Sequence, residues 1–218
     1  QAYQVATTHL QKFIADSSWS ALPGQTDAGD LPTAVILDFD STVLNHVDFQ
    51  MTYERPFENW KLDEYDRKTI AKPVPGVVEF LNAARAAGVT LFIVTNRPCE
   101  PREGIEDACP QRHTVIDGLE ELGVDVEAEN VLLSQDRGWN REKSTRRQHV
   151  AERYRVLMLI GDDLTDFIAC ARSSPRAPCT NKATEESRRQ ATRDHTENWG
   201  NGWYILPNPM HGSWTSAR

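Results

Sequence analysis

The chain has 218 residues, 39% of them hydrophobic, and its 32 acidic against 24 basic side chains give a formal net charge of -8. That length holds one sizeable core, as a single domain with at most a small accessory element. The acidic balance argues against an extended nucleic-acid backbone as the main partner, which would demand clustered positive charge, but it leaves room for a small anionic ligand served by one local cation.

No apolar run approaches the roughly 20 residues needed to cross a bilayer, and the opening residues lack the basic and apolar pattern of a secretory signal. The chain begins with Gln1 rather than Met, so a processed amino terminus is expected.

The segment Ala2 to Ala15 predicts an amino-terminal helix, and the turn-rich PGQTDAGDLP then delivers the chain to a first strong strand, Ala34 to Phe39. That strand runs straight into Asp38 and Asp40. Each carboxylate raises the cost of ionising the other, so the pair needs a compensating cation or a chemical task. Residues 46–74 are aromatic and charged with no clean strand period, as in a small helical cap inserted above a sheet edge.

PVPGVVEFLNAARAAG predicts a helix with Pro75 in its first turn, an apolar face of Val77, Val78, Phe80, Leu81 and Ala84, and Gly88 as its stop. VTLFIVTNR predicts a buried strand, RHTVIDGLEELG a helix, VLL at 131–133 a short strand, EKSTRRQHVAERY a helix and VLMLIGDD a further strand. Residues 184–218 start as a polar helix and end in WGNGWYILPNPMHGSW, too aromatic for a disordered tail, so they are expected to fold back onto the body of the single 1–218 domain.

Buried strands alternating with amphipathic helices point to an α/β fold with a doubly wound, mostly parallel sheet. Ligands of such folds sit at the carboxyl ends of the strands. The polar residues that follow the predicted strands, Asp38 and Asp40, Thr95 and Asn96, and Asp162, Asp163 and Asp166, therefore fall at one rim.

Gathered there, Asp38 and Asp162 offer hard oxygen ligands suited to Mg2+. A carboxylate can attack phosphorus to give an aspartyl-phosphate, and a second carboxyl two residues on can protonate the departing alkoxide and then deprotonate the hydrolytic water. Thr95, backbone amides after Asp38, and Lys143 are candidate donors to the phosphoryl oxygens. Taken singly, Asp162 to Asp166 also suit a helix amino terminus, and Lys143 a solvated helix face.

Cys99, Cys109, Cys170 and Cys179 form two locally spaced couples without the spacing of a structural zinc site. Two short-loop disulfides, Cys99 to Cys109 and Cys170 to Cys179, are expected, and with them an oxidising compartment; four unrelated thiols are the alternative. The six histidines show no paired spacing, and structural or exposed roles are expected of them.

D-x-D-x-T after an apolar strand (Asp38, Asp40, Thr42), a strand ending in Thr95, a later Lys143 and a G-D-x-x-x-D turn (Gly161, Asp162, Asp166) together resemble the haloacid-dehalogenase (HAD) superfamily. With LIGDDLTDF and LPNPMHGSW added, residues 34 to 214 look like the bacterial class C acid phosphatases. The resemblance implies a HAD-like Rossmannoid core and an exported, periplasmic or secreted, magnesium-dependent phosphomonoesterase acting on small phosphate esters, nucleoside monophosphates among them. It further implies Asp38 as nucleophile, Asp40 as general acid and base, Thr95 and Lys143 as phosphate and nucleophile supports, and Asp38, the Asp40 carbonyl, Asp162 and Asp166 as metal ligands.

Trp60, Phe57, Tyr204 and His211 are candidates for the substrate wall, with Asn96 beside them, and core packing is the competing reading for each of the aromatics. Three letters depart from the family pattern: Ser41 where Glu is usual, Asp163 where Asn is usual, and His211 where Tyr is common. Other readings of the same residues are a phosphatase or phosphotransferase of narrow specificity, a phosphoaccepting receiver-like regulator and a non-catalytic relative. A receiver has no D-x-D on its first strand.

Overall fold

In this computed structural model residues 1–54, 56–68 and 72–216 are described. The elements in chain order are α1 (Ala2–Ala15), β1 (Thr33–Leu37), β2 (Leu44–Asn45), α2 (Val47–Thr52), α3 (Asn59–Lys68), β3 (Lys72–Pro73), α4 (Val77–Ala86), β4 (Thr90–Pro98), α5 (Pro110–Glu120), β5 (Val131–Ser134), α6 (Ser144–Ala151), β6 (Arg155–Gly161), α7 (Glu185–Asp194) and β7 (Trp203–Ile205), with single 3-10 turns between some of them.

The apolar run TAVIL makes β1 the centre of a five-stranded sheet of order β5-β4-β1-β6-β7, in which every pairing is parallel. A strand apolar and buried from Ala34 to Leu37 needs cover on both faces, and the two-residue period supplies it. Val35, Leu37, Leu91 and Ile93 point into a core built with Tyr3, Leu10 and Phe13 of α1, Phe80 and Leu81 of α4, and Val115 and Leu119 of α5. Ala34, Ile36, Phe92 and Val94 point into the opposite core, closed by Val150 of α6, Phe167 and Trp203.

Strand order reverses at β1, so the crevice expected of a doubly wound sheet opens at the carboxyl end of that strand. A buried arginine ties the amino-terminal helix to this frame. Arg155 of β6 donates to the carbonyls of Phe13 (2.9 Å), Ile14 (3.0 Å) and Asp16 (2.7 Å), and so satisfies acceptors at the end of α1, where the last carbonyls have no partner within the helix.

Local details differ from the sequence reading. Pro75 precedes α4, and the N-cap is Gly76 at φ 89°, a conformation open to glycine at little cost. The helix expected from Glu142 starts at Ser144, which leaves Lys143 at its N-cap. WYI in the tail adds the edge strand β7, too short to show a period, with Trp203 and Tyr204 entering opposite cores. Both expected disulfides are formed, Cys99 to Cys109 and Cys170 to Cys179. Residues 46–74 carry α2 and α3 above the sheet edge, and residues 55 and 69–71 of that segment lie outside the described residues.

Candidate active site

The end of β1 and the end of β6 bring three carboxylates together. One ligand atom from each of Asp38, Asp162 and Asp166 lies within 4.8 Å of the others. Asp38 is still in the sheet, its N–H donating to the Ile160 carbonyl at 2.9 Å, and the chain then turns through Ser41 in the left-handed region at φ 61°. Asp162 follows Gly161 directly, and Asp166 closes a one-turn helix at Leu164–Asp166.

Burial pushes the Asp38 carboxyl up to about 7 against the pull of Lys143, with Asp162 and Asp40 adding to the rise. Asp162 and Asp166 are also raised, burial first and neighbouring charge second. Lys143 partly offsets this repulsion: its ammonium bridges Asp38 and, at 2.6 Å, Asp166 Oδ1. Three buried carboxylates against one ammonium leave negative charge over, and an all-oxygen donor set of this kind suits a hard divalent cation. The donor set therefore fits magnesium.

The neighbours hold these groups in place. Thr42 donates to Asp162 Oδ1 at 3.2 Å, and Asn208 of the tail donates to Asp162 Oδ2 at 2.5 Å. Gly161 is required for space, because a Cβ there would overlap the Asp166 carboxylate. Asp163 turns away from the cluster. It accepts from the Thr165 N–H (2.9 Å) and hydroxyl (2.8 Å) and from the Ser213 N–H (2.5 Å) and hydroxyl (2.7 Å), and these bonds outweigh burial to hold its carboxyl below the usual range. The Asp163 charge thus caps the turn and fastens the tail.

Asp40 faces a different set of partners. Arg97, at the end of β4, places Nη2 2.6 Å from its Oδ1 and Nε 3.1 Å from its Oδ2, and also reaches Asp66 of α3 at 2.5 Å and Asp63 at 3.6 Å. His46 lies between the same acids, 2.9 Å from Asp66 and 3.5 Å from Asp40. Burial would raise the Asp40 carboxyl, but Arg97 and then His46 hold it well below the usual range. A second set of groups thereby joins Asp40 to α3.

A cavity of about 450 Å³ opens over these groups. Asp38, Asp40, Asn96, Asp162 and Asp166 of the expected rim line it, together with Lys143, expected as a phosphate donor, and His211, expected in the substrate wall. Phe57 and Tyr53 line it too, their ring centroids 5.8 Å apart and mutually perpendicular. His211 reaches Ser41 Oγ at 3.3 Å and Asn208 at 3.2 Å.

Three expected residues are placed elsewhere. Tyr204 is buried in the core beneath α1 and bonds His9 at 2.8 Å, because the pleat of β7 turns it inward. Trp60 is on the outer side of α3, more than half exposed, with Lys61 over its ring at 5.6 Å. Thr95 is fully buried, and its hydroxyl reaches Asp40 Oδ2 at 3.4 Å and accepts from the Arg97 N–H at 3.2 Å, so it braces Asp40 and does not face the cavity. The sequence reading missed Arg97, His46, Asp66 and Asn208. A signal existed for Arg97, which sits two residues past Thr95 on the same strand end, and for Asn208, which lies inside the tail stretch LPNPMHGSW.

The model of a family described as HAD superfamily, subfamily IIIB (acid phosphatase) matches residues 2–214. Among solved structures, the class C acid phosphatase from Bacillus anthracis is similar at 25% identity and TM-score 0.73, with 100% of this chain and 79% of that one covered. A structure of the class C acid phosphatase from the same organism with tungstate bound is similar at 24% identity and TM-score 0.72, over the same shares of each chain.

Proposed function

The chain belongs to the acid phosphatases of HAD subfamily IIIB, and from that premise we propose that it hydrolyses small phosphate monoesters through an aspartyl-phosphate on Asp38, with magnesium held by Asp38, the Asp40 carbonyl, Asp162 and Asp166. The chain is a phosphomonoesterase; the intermediate, the metal and the residue roles are the proposal. The observation that supports it most is the convergence of Asp38, Asp162 and Asp166 within 4.8 Å, with Lys143 bridging Asp38 and Asp166.

In this reading the Asp38 carboxylate attacks phosphorus and the ester oxygen leaves with a proton from Asp40. Asp40 then takes a proton from water as that water attacks the aspartyl-phosphate, which returns Asp38 and releases phosphate. Lys143 draws the Asp38 carboxyl down against burial and offers a donor to the phosphoryl oxygens. Thr95 and Arg97 orient Asp40. Magnesium, when bound, screens the phosphate from the negative nucleophile and polarises the phosphoryl oxygens.

Residues 46–74 act as a cap in this proposal, with Tyr53 and Phe57 offering ring faces to the organic part of the ester. Nucleoside monophosphates are the first substrates to try for that reason. Two disulfides support a periplasmic or secreted location, since such bonds persist in oxidising compartments; among the described residues no helix is long and apolar enough to cross a membrane.

The test is phosphate release from an aryl phosphate, with and without magnesium, by the parent and by Asp38→Asn. Metal-dependent turnover that disappears in the variant is expected. Undiminished turnover by Asp38→Asn would remove it as nucleophile, and full activity in chelator would remove the metal.

A further inference from the structure

We propose that Arg141 and Arg172 form an anion subsite next to the reaction centre, so that the preferred ester carries a second phosphate or carboxylate besides the phosphate that is removed. The proposal rests on the phosphatase reading and concerns what else the substrate bears.

Four cations line the cavity: Arg97, Arg141, Lys143 and Arg172. Two are committed, Arg97 to Asp40 and Asp66, and Lys143 to Asp38 and Asp166. Neither of the others has a carboxylate within ion-pair distance among the described residues. Arg172 is fixed by one bond, Nη2 to Thr165 Oγ1 at 3.2 Å, and that hydroxyl is itself held on Asp163 at 2.8 Å. Its Nε is buried and finds no acceptor in the protein.

Arg141 lines the same cavity as Lys143, two residues before it in the chain. After burial, the largest influences on its guanidinium are repulsion from Arg172 and Arg176. Glu100 draws on it more weakly, and that carboxylate already accepts from Gln135 Nε2 at 3.0 Å.

Like charges held together without acids are unfavourable unless something negative joins them. The carboxylate that shares the Thr165 hydroxyl with Arg172 is Asp163, and it is already taken by Thr165 and Ser213. Guanidinium donors in pairs match the oxygens of phosphate or carboxylate, and a guanidinium held in advance by Thr165 loses little freedom on binding. The scissile phosphoryl group must lie in line with Asp38 and has Lys143 for its own charge, so the Arg141 and Arg172 pair is left for a second group on the same molecule.

The experiment compares esters that differ only in that group: phosphoglycerate against glycerol phosphate, and propanediol bisphosphate against its monophosphate. We expect kcat/KM to favour the doubly anionic member about tenfold or more, as for hydrogen bonds to a charged group. In the Arg141→Gln, Arg172→Gln double variant the ratio, whatever the absolute rates, should fall to about one. Calorimetry on Asp38→Asn, which retains the pair, should give the same preference in Kd, and Arg141→Gln alone covers the case in which Arg172→Gln does not fold. Equal kcat/KM in the parent, or a preference that survives both substitutions, overturns the subsite while leaving the phosphatase intact. A preference in Kd with no turnover of any ester supports the subsite and removes the phosphatase reading.

Discussion

Arg97 grips Asp40 from the neighbouring strand end, Nη2 to Oδ1 at 2.6 Å and Nε to Oδ2 at 3.1 Å, while its far side reaches Asp66 of α3 at 2.5 Å. The same guanidinium therefore sets both the charge of the proposed acid and base and its connection to the segment above the sheet. Arg97 depresses the Asp40 carboxyl, so the protonated form needed by a departing alkoxide becomes commoner as pH falls. In Arg97→Gln the carboxyl rises, and the alkaline limb of kcat for alkyl phosphates, where the protonated form is lost, should move to higher pH. Aryl phosphates, whose leaving group needs no proton, should shift less. A profile that moves equally for both ester types would count against this role for Asp40. Breaking a buried pair of this kind should also cost about 3 to 5 kcal/mol of stability, read by denaturant titration.

Gly161→Ala places a methyl where the Asp166 carboxylate lies. Since β6 is fixed on both sides by its neighbours, the carboxylate has to move. Magnesium affinity, followed by calorimetry, should weaken by tenfold or more, with a destabilisation of about 1 to 3 kcal/mol from overpacking. Unchanged affinity would mean that Asp166 is not a ligand.

The three clustered carboxylates predict how pH acts on the protein without divalent metal. Asp38, Asp162 and Asp166 have folded pKa values above their ordinary 3.8, Asp38 at about 7 and the other two at about 6. The folded state then binds more protons than the unfolded chain between those limits, so its stability falls as pH rises through them. Metal-free protein should melt at lower temperature at pH 7 than at pH 5, and saturating magnesium should reverse the trend, because the metal binds only the ionised cluster in the folded chain. A melting temperature that is independent of pH across this range in chelator would show that the cluster is not strained.

Asp163→Ala removes the cap of the Leu164–Asp166 turn and both bonds to Ser213. A lost cap costs about 0.5 to 2 kcal/mol. The expected signs are a lower melting temperature and faster cleavage of the chain after Leu206 in limited proteolysis. If proteolysis is unchanged, the tail is held by other contacts, such as Asn208 on Asp162.

How much of this was legible beforehand follows from range. The parallel sheet could be read because each strand is a run of apolar residues bounded by turn residues, and its two-sided burial is a property of the run itself. Asp38, Asp40, Asp162 and Asp166 could be read because a doubly wound sheet delivers every strand end to one edge, whatever the helices do. The disulfides were legible because each couple is closed by a short loop, 10 and 9 residues apart.

The Arg97 clamp could not be read, since its acids lie on a helix whose placement over the sheet no local pattern encodes. Trp60 and Tyr204 were misplaced for a related reason: an aromatic residue on a short helix or a three-residue strand has no period long enough to say which face is covered. The sequence by itself thus determined the strands, their common edge and the acids that stand on it, all through periodicity and order along the chain. Only the tertiary structure decided which cation meets which carboxylate and which side chains face the cavity, because a hydrogen bond depends on the meeting of surfaces far apart in sequence, and an error of one residue in facing is enough to exchange a cavity wall for a core.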